Sequence, residues 1–309
     1  MNSNTKYLIS IVGPTAIGKT ALSIKLANHF KTEIISADSR QFFKEMQIGT
    51  AAPTPNELSG AKHHFIHHKS IIDDYNVGAF EKDALQCLEH LFKKQDVVIM
   101  VGGSGLYVDA VTKGLDYFPE VDSNIRESLN KQLETQGLES LQKQLQVLDP
   151  VSYKTIAIDN PHRVIRALEI CIGTEKPYAS FLNQGKEKRN FKTITIGLTA
   201  ERELIYQRIN QRVDIMMQEG LLEEVKSLIE FKDLNALNTV GYKELFNYLE
   251  GTWELEFAIS EIKKNTRRFA KRQLTWFKKK EDTLWFDYSI FIDDVKDKIQ
   301  VQINSFKND

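Results

Sequence analysis

The sequence predicts an α/β fold: a core of short parallel strands, a helical insertion within it, and a mostly helical C-terminal part. Three patterns carry that prediction. β-Branched runs alternate with amphipathic stretches through the first third, a strand-free segment of spaced leucines follows, and a β-branched run then returns. In chain order, Tyr7–Val12 (YLISIV) reads as a buried strand, and a glycine-rich turn leads from it into a helix over about Lys19–Phe30. Glu33–Ser36 is a second short strand. Phe80, Leu85, Leu88, Leu91 and Phe92 recur at helical spacing ahead of a third strand at Val97–Val101. From about Pro119 to Arg189, Leu129, Leu133, Leu138, Leu141, Leu145 and Leu148 sit among Gln and Lys, a pattern of helices without strands. Lys192–Leu198 restores the strand pattern, and from about Ala200 the chain reads as mostly helical. The expected domains are 1–118 with 190–309 as the core and 119–189 as the insertion. The polar connection Asn183–Asn190 is expected to be a hinge or mobile loop.

With 309 residues, 41% hydrophobic and 27% charged, the composition is that of a globular protein and excludes a disordered polymer. Lys and Arg (41) nearly cancel Asp and Glu (42), so any nucleic-acid role must rest on a local patch. Two cysteines far apart, Cys87 and Cys171, form no CxxC pair and suggest a reducing compartment. Met1–Lys6 is polar, and the apolar run after it is too short for a signal segment or membrane span. A soluble cytoplasmic protein is expected.

Gly13-Pro14-Thr15-Ala16-Ile17-Gly18-Lys19-Thr20 fits G-x-x-x-x-G-K-[ST] between a strand and a helix, the context the motif requires. Its glycines let successive N–H groups turn toward phosphate oxygens, Lys19 adds a charge, and the Thr20 hydroxyl suits Mg²⁺. The core is thus P-loop NTPase-like, and the default ligand is a nucleotide such as ATP. A kinase or NTPase would hold its magnesium with an Asp ending a second buried strand, yet Val97–Val101 runs into Gly102-Gly103-Ser104-Gly105. No N-K-x-D is present either. The well-placed carboxylate is Asp38, just past Glu33–Ser36, where strand ends face a ligand crevice; on position alone, a helix N-cap or a solvated turn Asp competes with that role.

Further along, Arg208 and Arg212 lie four apart on one helix face, which unaided reads as solvated. Lys263–Lys280 holds nine Lys or Arg and no acid. Ile262, Phe269, Ala270, Leu274 and Phe277 share its apolar face, and most basic residues lie opposite; a solvated face and a phosphate-binding face both fit. His63, His64, His67 and His68 look metal-like, but no Cys is near and Asp73–Asp74 would need a turn back, so a structural or substrate-channel role is expected. Cys87 falls on an apolar helix side and reads as core.

Seven segments occur in order: GPTAIGKT (13–20), ISADSRQ (35–41), IGT (48–50), VGGSGLY (101–107), PHRVIRALE (161–169), VGYK (240–243) and KRQLTWF (271–277). The set resembles the tRNA dimethylallyltransferase (tRNA isopentenyltransferase) family of bacterial type, from about residue 7 to about 286. The resemblance implies transfer of a dimethylallyl group from its diphosphate to N6 of adenine 37, 3′ of the anticodon, in tRNAs reading codons that begin with U. It also implies Mg²⁺ as cofactor, dimethylallyl diphosphate and the tRNA anticodon stem-loop as partners, no membrane, and a monomer. The phosphate loop would cradle a prenyl diphosphate, so a missing second-strand Asp is unsurprising.

By the resemblance, Asp38 would be the general base for N6, with Lys19, Thr20 and Arg212 also catalytic. Gly13 to Thr20, Arg208 and Arg212 would bind the donor. Asp38, Ser39, Arg40 and Gln41 would lie at the flipped base, Gln41 reading an adenine edge bidentately. Ser104, Arg126, and His162, Arg163, Val164, Ile165 and Arg166 would contact tRNA, the insertion included, as would Val240, Gly241, Tyr242, Lys243, Lys271, Arg272, Gln273 and Trp276. The sequence departs from the family at Ala52, where Lys is usual, at Arg40, often Met, and at Ser104, a Thr. By the resemblance, a change at Ala52 would bear on local tRNA or phosphate contacts, while Asp38 and the loop are intact. With little sequence after the last matching segment, the zinc-finger extension of eukaryotic members is not expected, and a bacterial-type enzyme is the expected fit. A small-molecule kinase would share the phosphate loop but leave KRQLTWF unexplained. An isopentenyltransferase of free adenine nucleotides would need no tRNA-sized basic surface, and a non-catalytic RNA-binding module would not need Lys19, Thr20 and Asp38.

Overall fold

A computed structural model describes residues 5–184 and 188–308. The first four residues of the polar N-terminus and residues 185–187 of the expected hinge lie outside the described residues. The chain divides into two compact units, residues 1–112 with 189–309, and residues 113–188. The helical unit therefore begins six residues before the expected 119.

In the first unit, β1 (Lys6–Val12) is buried at every position but Lys6. Its side chains alternate between two cores: Tyr7, Ile9 and Ile11 face one, Leu8 and Val12 the other, as a strand covered on both faces requires. The chain then forms α1 (Lys19–Phe30), β2 (Ile34–Ser36), α2 (Pro55–Gly60), β3 (His63–His64), α3 (Val77–Phe92), β4 (Val97–Val101) and α4 (Gly105–Lys113). Caps set several starts: Thr54 and Glu57 form a reciprocal capping box with Pro55 in the first turn of α2, and Asn76 accepts from Gly78 and Ala79 at the start of α3.

The helical unit contains α5 (Ser123–Gln136), α6 (Leu138–Leu148), α7 (Pro150–Thr155) and α8 (Pro161–Thr174) around its own core of Leu129, Leu141, Leu145, Val164, Ile165 and Leu168. Asp149 ends α6 and caps α7 through Ser152, and Asn160 caps α8 ahead of Pro161.

The first unit resumes with β5 (Phe191–Thr199), α9 (Arg202–Gln218), α10 (Leu221–Ser227), α11 (Tyr242–Leu249), α12 (Leu255–Phe277), β6 (Thr283–Asp287) and α13 (Ile292–Asn308). The six strands lie in order β3-β2-β4-β1-β5-β6, every pair parallel. Two strands escape the sequence patterns. β3 has two residues, too few for a period, and β6 falls where mostly helix was expected. β6 pairs with β5 at Gly197↔Trp285, where any Cβ on Gly197 would lie 2.5 Å from the Trp285 ring. The pairing therefore needs glycine at 197, although Thr283, Trp285 and Phe286 are themselves residues that favour strands. A third core joins α9, α10, α11 and α12 through Val213, Leu221, Leu245 and Ile262. Among the described residues no helix is long and apolar enough to cross a membrane.

Candidate active site

The phosphate loop leaves β1 at Gly13, whose φ of 142° and whose Cβ direction, 2.5 Å from the Leu198 carbonyl oxygen, admit only glycine. Ala16 (φ 64°) and Gly18 (φ 104°) also take positive φ, so the backbone curls into a cradle of N–H groups at the start of α1. Lys19 Nζ donates to the Pro14 carbonyl at 2.8 Å. From α9, Arg208 Nε donates to Ala16 O at 2.7 Å and Arg212 Nη1 reaches Thr15 Oγ1 at 3.4 Å. The two arginines thus grip the loop instead of forming a solvated face.

Thr15 to Thr20 and Arg212 line a cavity of about 670 Å³ together with Asp38 and Gly103; Gly13, Pro14 and Arg208, expected at the donor, are not among its lining residues, and Arg208 supports the loop instead. Burial pushes the Lys19 ammonium down to about 8; Asp38 opposes that shift and Arg212 adds to it. Burial and the neighbouring Arg208 lower Arg212 as well. Clustered, desolvated cations of this kind suit an anion that brings more than one negative charge.

Asp38 follows β2, where Ala37 N–H still bonds to Val101 O. Its Oδ1 accepts from Arg40 N at 3.0 Å, a turn bond, and no helix starts there. Ser104 Oγ accepts from Ser39 N and donates to Ser39 Oγ, both at 3.1 Å, tying the loop after β4 to the segment bearing Asp38. Arg40 is anchored by its guanidinium to the Asn235 carbonyl at 2.9 Å. Gln41 corrects the sequence reading: its Nε2 donates to Thr50 O (3.2 Å) and Ala51 O (3.1 Å), so both amide hydrogens are engaged and bidentate reading of an adenine edge is not open to it.

The sequence profile of the IPP transferase family matches residues 41–280. The chain belongs to the IPP transferase family. It is 63% identical over 301 residues to the tRNA dimethylallyltransferase of Christiangramia forsetii, covering 97% of this chain and 100% of that one. It is 62% identical to the tRNA dimethylallyltransferase of Flavobacterium johnsoniae, covering 92% and 94%. The full-length tRNA isopentenylpyrophosphate transferase of Bacillus halodurans superposes with a TM-score of 0.74 at 36% identity, 98% of each chain covered. A eukaryotic dimethylallyltransferase acting on tRNA superposes with a TM-score of 0.76 at 28% identity over 92% of this chain and 74% of the other.

Within this IPP transferase, several residues expected at the RNA have other work. Gln273 is 5% exposed; its Oε1 accepts from Thr15 N (2.8 Å) and its Nε2 donates to Gly103 O (2.9 Å), so it bridges the phosphate loop and the loop after β4. Tyr242 is fully buried, its hydroxyl donating to Glu224 Oε1 at 2.6 Å, and its side chain has no face for RNA. Its neighbours Val240, Gly241 and Lys243 do line the cavity. Trp276 packs over Gly105 and donates to Asp109 Oδ2 at 2.8 Å, with part of its ring exposed. Phe269, assigned to the buried face by the helical wheel, instead lines the cavity with Arg272 over its ring. Lys271 is exposed, but Lys263, Lys264 and Lys280 are paired with Asp214, Glu261 and Asp109.

In the helical unit, Val164 and Ile165 are core side chains and cannot touch RNA, whereas His162 and Arg163 are exposed. Arg126 forms a bidentate pair with Glu169 (2.9 and 2.7 Å), which also takes Arg166 at 2.8 Å. The histidines do not converge: His63 Nδ1 pairs with Ala61 O and His64 Nε2 with Glu33, while burial pushes His68 down to about 4. Among the described residues no group of three or more His, Cys, Asp or Glu is placed to hold a metal. Cys87 is half-buried against the core rather than within it, and burial pushes its thiol up to about 11.

Sequence reasoning missed Glu224, Glu244 and Asn265. Glu244 caps Gly241 N at 2.8 Å and takes Asn265 Nδ2 at 2.8 Å on the cavity wall. Glu244 at the third position after Gly241 is a local capping spacing, whereas no local spacing marks Glu224 or Asn265, because their partners lie in other segments.

Proposed function

We propose that this chain transfers the dimethylallyl group of dimethylallyl diphosphate to N6 of adenine 37, 3′ of the anticodon, in tRNAs reading codons that begin with U. The products are N6-dimethylallyladenosine and diphosphate. The observation that carries this reading is that Lys19, Arg212, the phosphate loop and Asp38 face one cavity in a member of the IPP transferase family.

The diphosphate lies against the loop N–H groups, Lys19 and Arg212, while Val213, Met216, Ile262 and Phe269 supply apolar wall for the prenyl tail. Exocyclic adenine nitrogen is a poor nucleophile because its lone pair is delocalised into the ring. Asp38 orients the amine and takes its proton as the N6–C1 bond forms and the C1–O bond to diphosphate breaks. The electron pair leaves with the diphosphate, and Lys19 and Arg212 stabilise the charge gathered there. Removing the base from its stack is required, as in other base-modifying enzymes.

A magnesium ion fits the donor set. The Thr20 hydroxyl lines the cavity beside Lys19, and Mg²⁺ characteristically takes one or two protein oxygens together with phosphate oxygens. When bound it adds positive charge to the leaving diphosphate. Exposed Lys271, Arg272, His162 and Arg163 supply the tRNA-facing charge. The same reading makes the protein a monomeric cytoplasmic enzyme.

The test uses purified protein, Mg²⁺, labelled dimethylallyl diphosphate and unmodified tRNA carrying A36-A37. Label should enter the RNA and disappear when A37 is replaced. Labelling of AMP in preference to tRNA would move the activity to free nucleotides. ATP-dependent phosphorylation of a small molecule, with no label in RNA, would overturn the reading.

A further inference from the structure

We infer that Glu224, on α10, is a positioning residue that shapes the acceptor wall of the cavity by holding the segment Gln47–Ala51. The inference rests on the transferase reading and adds a residue to it. The Glu224 carboxylate takes four hydrogen bonds. Oε2 accepts from Gln47 N at 2.9 Å and Ile48 N at 2.7 Å; Oε1 accepts from Gly49 N at 2.9 Å and from the Tyr242 hydroxyl at 2.6 Å. Among the described residues no Lys or Arg forms an ion pair with it, so the charge is held by three successive backbone dipoles and a phenol.

The consequence reaches the cavity in two steps. Gly49, Thr50 and Ala51 line it, and the Thr50 and Ala51 carbonyls hold the Gln41 amide three residues from Asp38. Tyr242 fixes the approach: a Cβ on Gly49 would lie 2.5 Å from its ring, so the segment can come this close only as glycine. Glu224 thus fixes Gln47–Gly49 and, through the Thr50 and Ala51 carbonyls that hold Gln41, the stretch of cavity wall that includes Asp38. The Glu224 side chain is half-buried, and a residue that merely filled a gap or faced water would not direct its carboxylate at three successive N–H groups and a phenol.

The experiment compares wild type with Glu224→Ala, Glu224→Gln and Tyr242→Phe, measuring kcat, donor KM and tRNA KM, together with amide hydrogen exchange at residues 47–51. Glu224→Ala should lower kcat/KM for tRNA by about tenfold with donor KM within about twofold, because only the acceptor wall is loosened. Its amides at 47–49 should exchange faster. Glu224→Gln, which keeps one acceptor oxygen, should restore part of both signals. Tyr242→Phe should stay near wild type, since the three N–H bonds persist.

Unchanged kcat/KM for tRNA, or equal losses for donor and tRNA, would overturn the assignment. If Glu224→Ala does not fold, Glu224→Gln decides: faster exchange at 47–49 without a loss specific to tRNA sinks the claim. A wild type that puts no label in RNA refutes the transferase reading instead, and the claim for Glu224 is then decided by exchange together with tRNA affinity.

Discussion

Lys19 and Asp38 show how one cavity prepares opposite charges for opposite partners. Burial brings Lys19 down to about 8 from an ordinary 10.5, so its charge is lost within an accessible pH range. In the free protein, kcat/KM for the donor should fall as pH rises through about 8, toward the level of Lys19→Ala. Lys19→Arg should move that limb upward, and a profile flat across the range would refute the role. The sign for stability is opposite: between about 8 and 10.5 the folded chain binds fewer protons than the unfolded chain. This group's contribution to stability therefore rises with pH across that window, and its cost is full below it. Asp38 lines the cavity, and its Oδ1 takes the turn bond from Arg40 N. Asp38→Ala should cut kcat by about 10²- to 10⁴-fold while leaving tRNA affinity within several-fold. A near-wild-type rate would refute the base assignment.

The element that organises the cavity is α12. Two of its residues, Gln273 and Trp276, lie on Gly103 and Gly105, where a Cβ would come within 2.2 and 2.5 Å of them respectively. One helix face therefore packs the loop after β4, reaches the phosphate loop through Thr15, and leaves Lys271 and Arg272 outward. Its basic run is not uniform in effect. Lys264 is paired with Glu261, whereas Lys271 is exposed. Lys271→Ala should lower the slope of log tRNA affinity against log salt by about one unit, and Lys264→Ala should leave the slope near wild type. Equal slopes for the two variants would place the RNA elsewhere. The run itself was visible in the sequence because charge is a local property. Which of its lysines are neutralised was not, since Asp214 and Asp109 approach from α9 and α4.

At the scale of the molecule, the helical unit has a core separate from those of the sheet unit. Leu145, fully buried in that core, offers a test of independence. Leu145→Ala should destabilise the helical unit by about 2–5 kcal/mol, read by chemical denaturation, while donor affinity stays at the wild-type value. A matching loss of donor affinity would mean that the two cores are coupled. The near-zero net charge of −1 belongs to this scale too: whole-chain attraction for RNA is weak, and binding rests on where the cations are placed.

The phosphate loop, the strands β1, β4 and β5, the change to a strand-free helical segment and the position of Asp38 after a strand were all determined by the sequence alone. Each is encoded by neighbours a few residues apart, where backbone sterics and the two- and 3.6-residue periods act directly. Tertiary structure decided the rest. It turned Arg208 and Arg212 onto the loop, took Tyr242 and Gln273 from the RNA surface into bridging roles, closed Gln41 onto two carbonyls, and set Glu224 beneath Gln47–Gly49. These contacts join residues up to 258 positions apart, as between Thr15 and Gln273. No local pattern carries them, because a hydrogen bond across the fold depends on where packing places two chain segments, and that is settled only when the cores close.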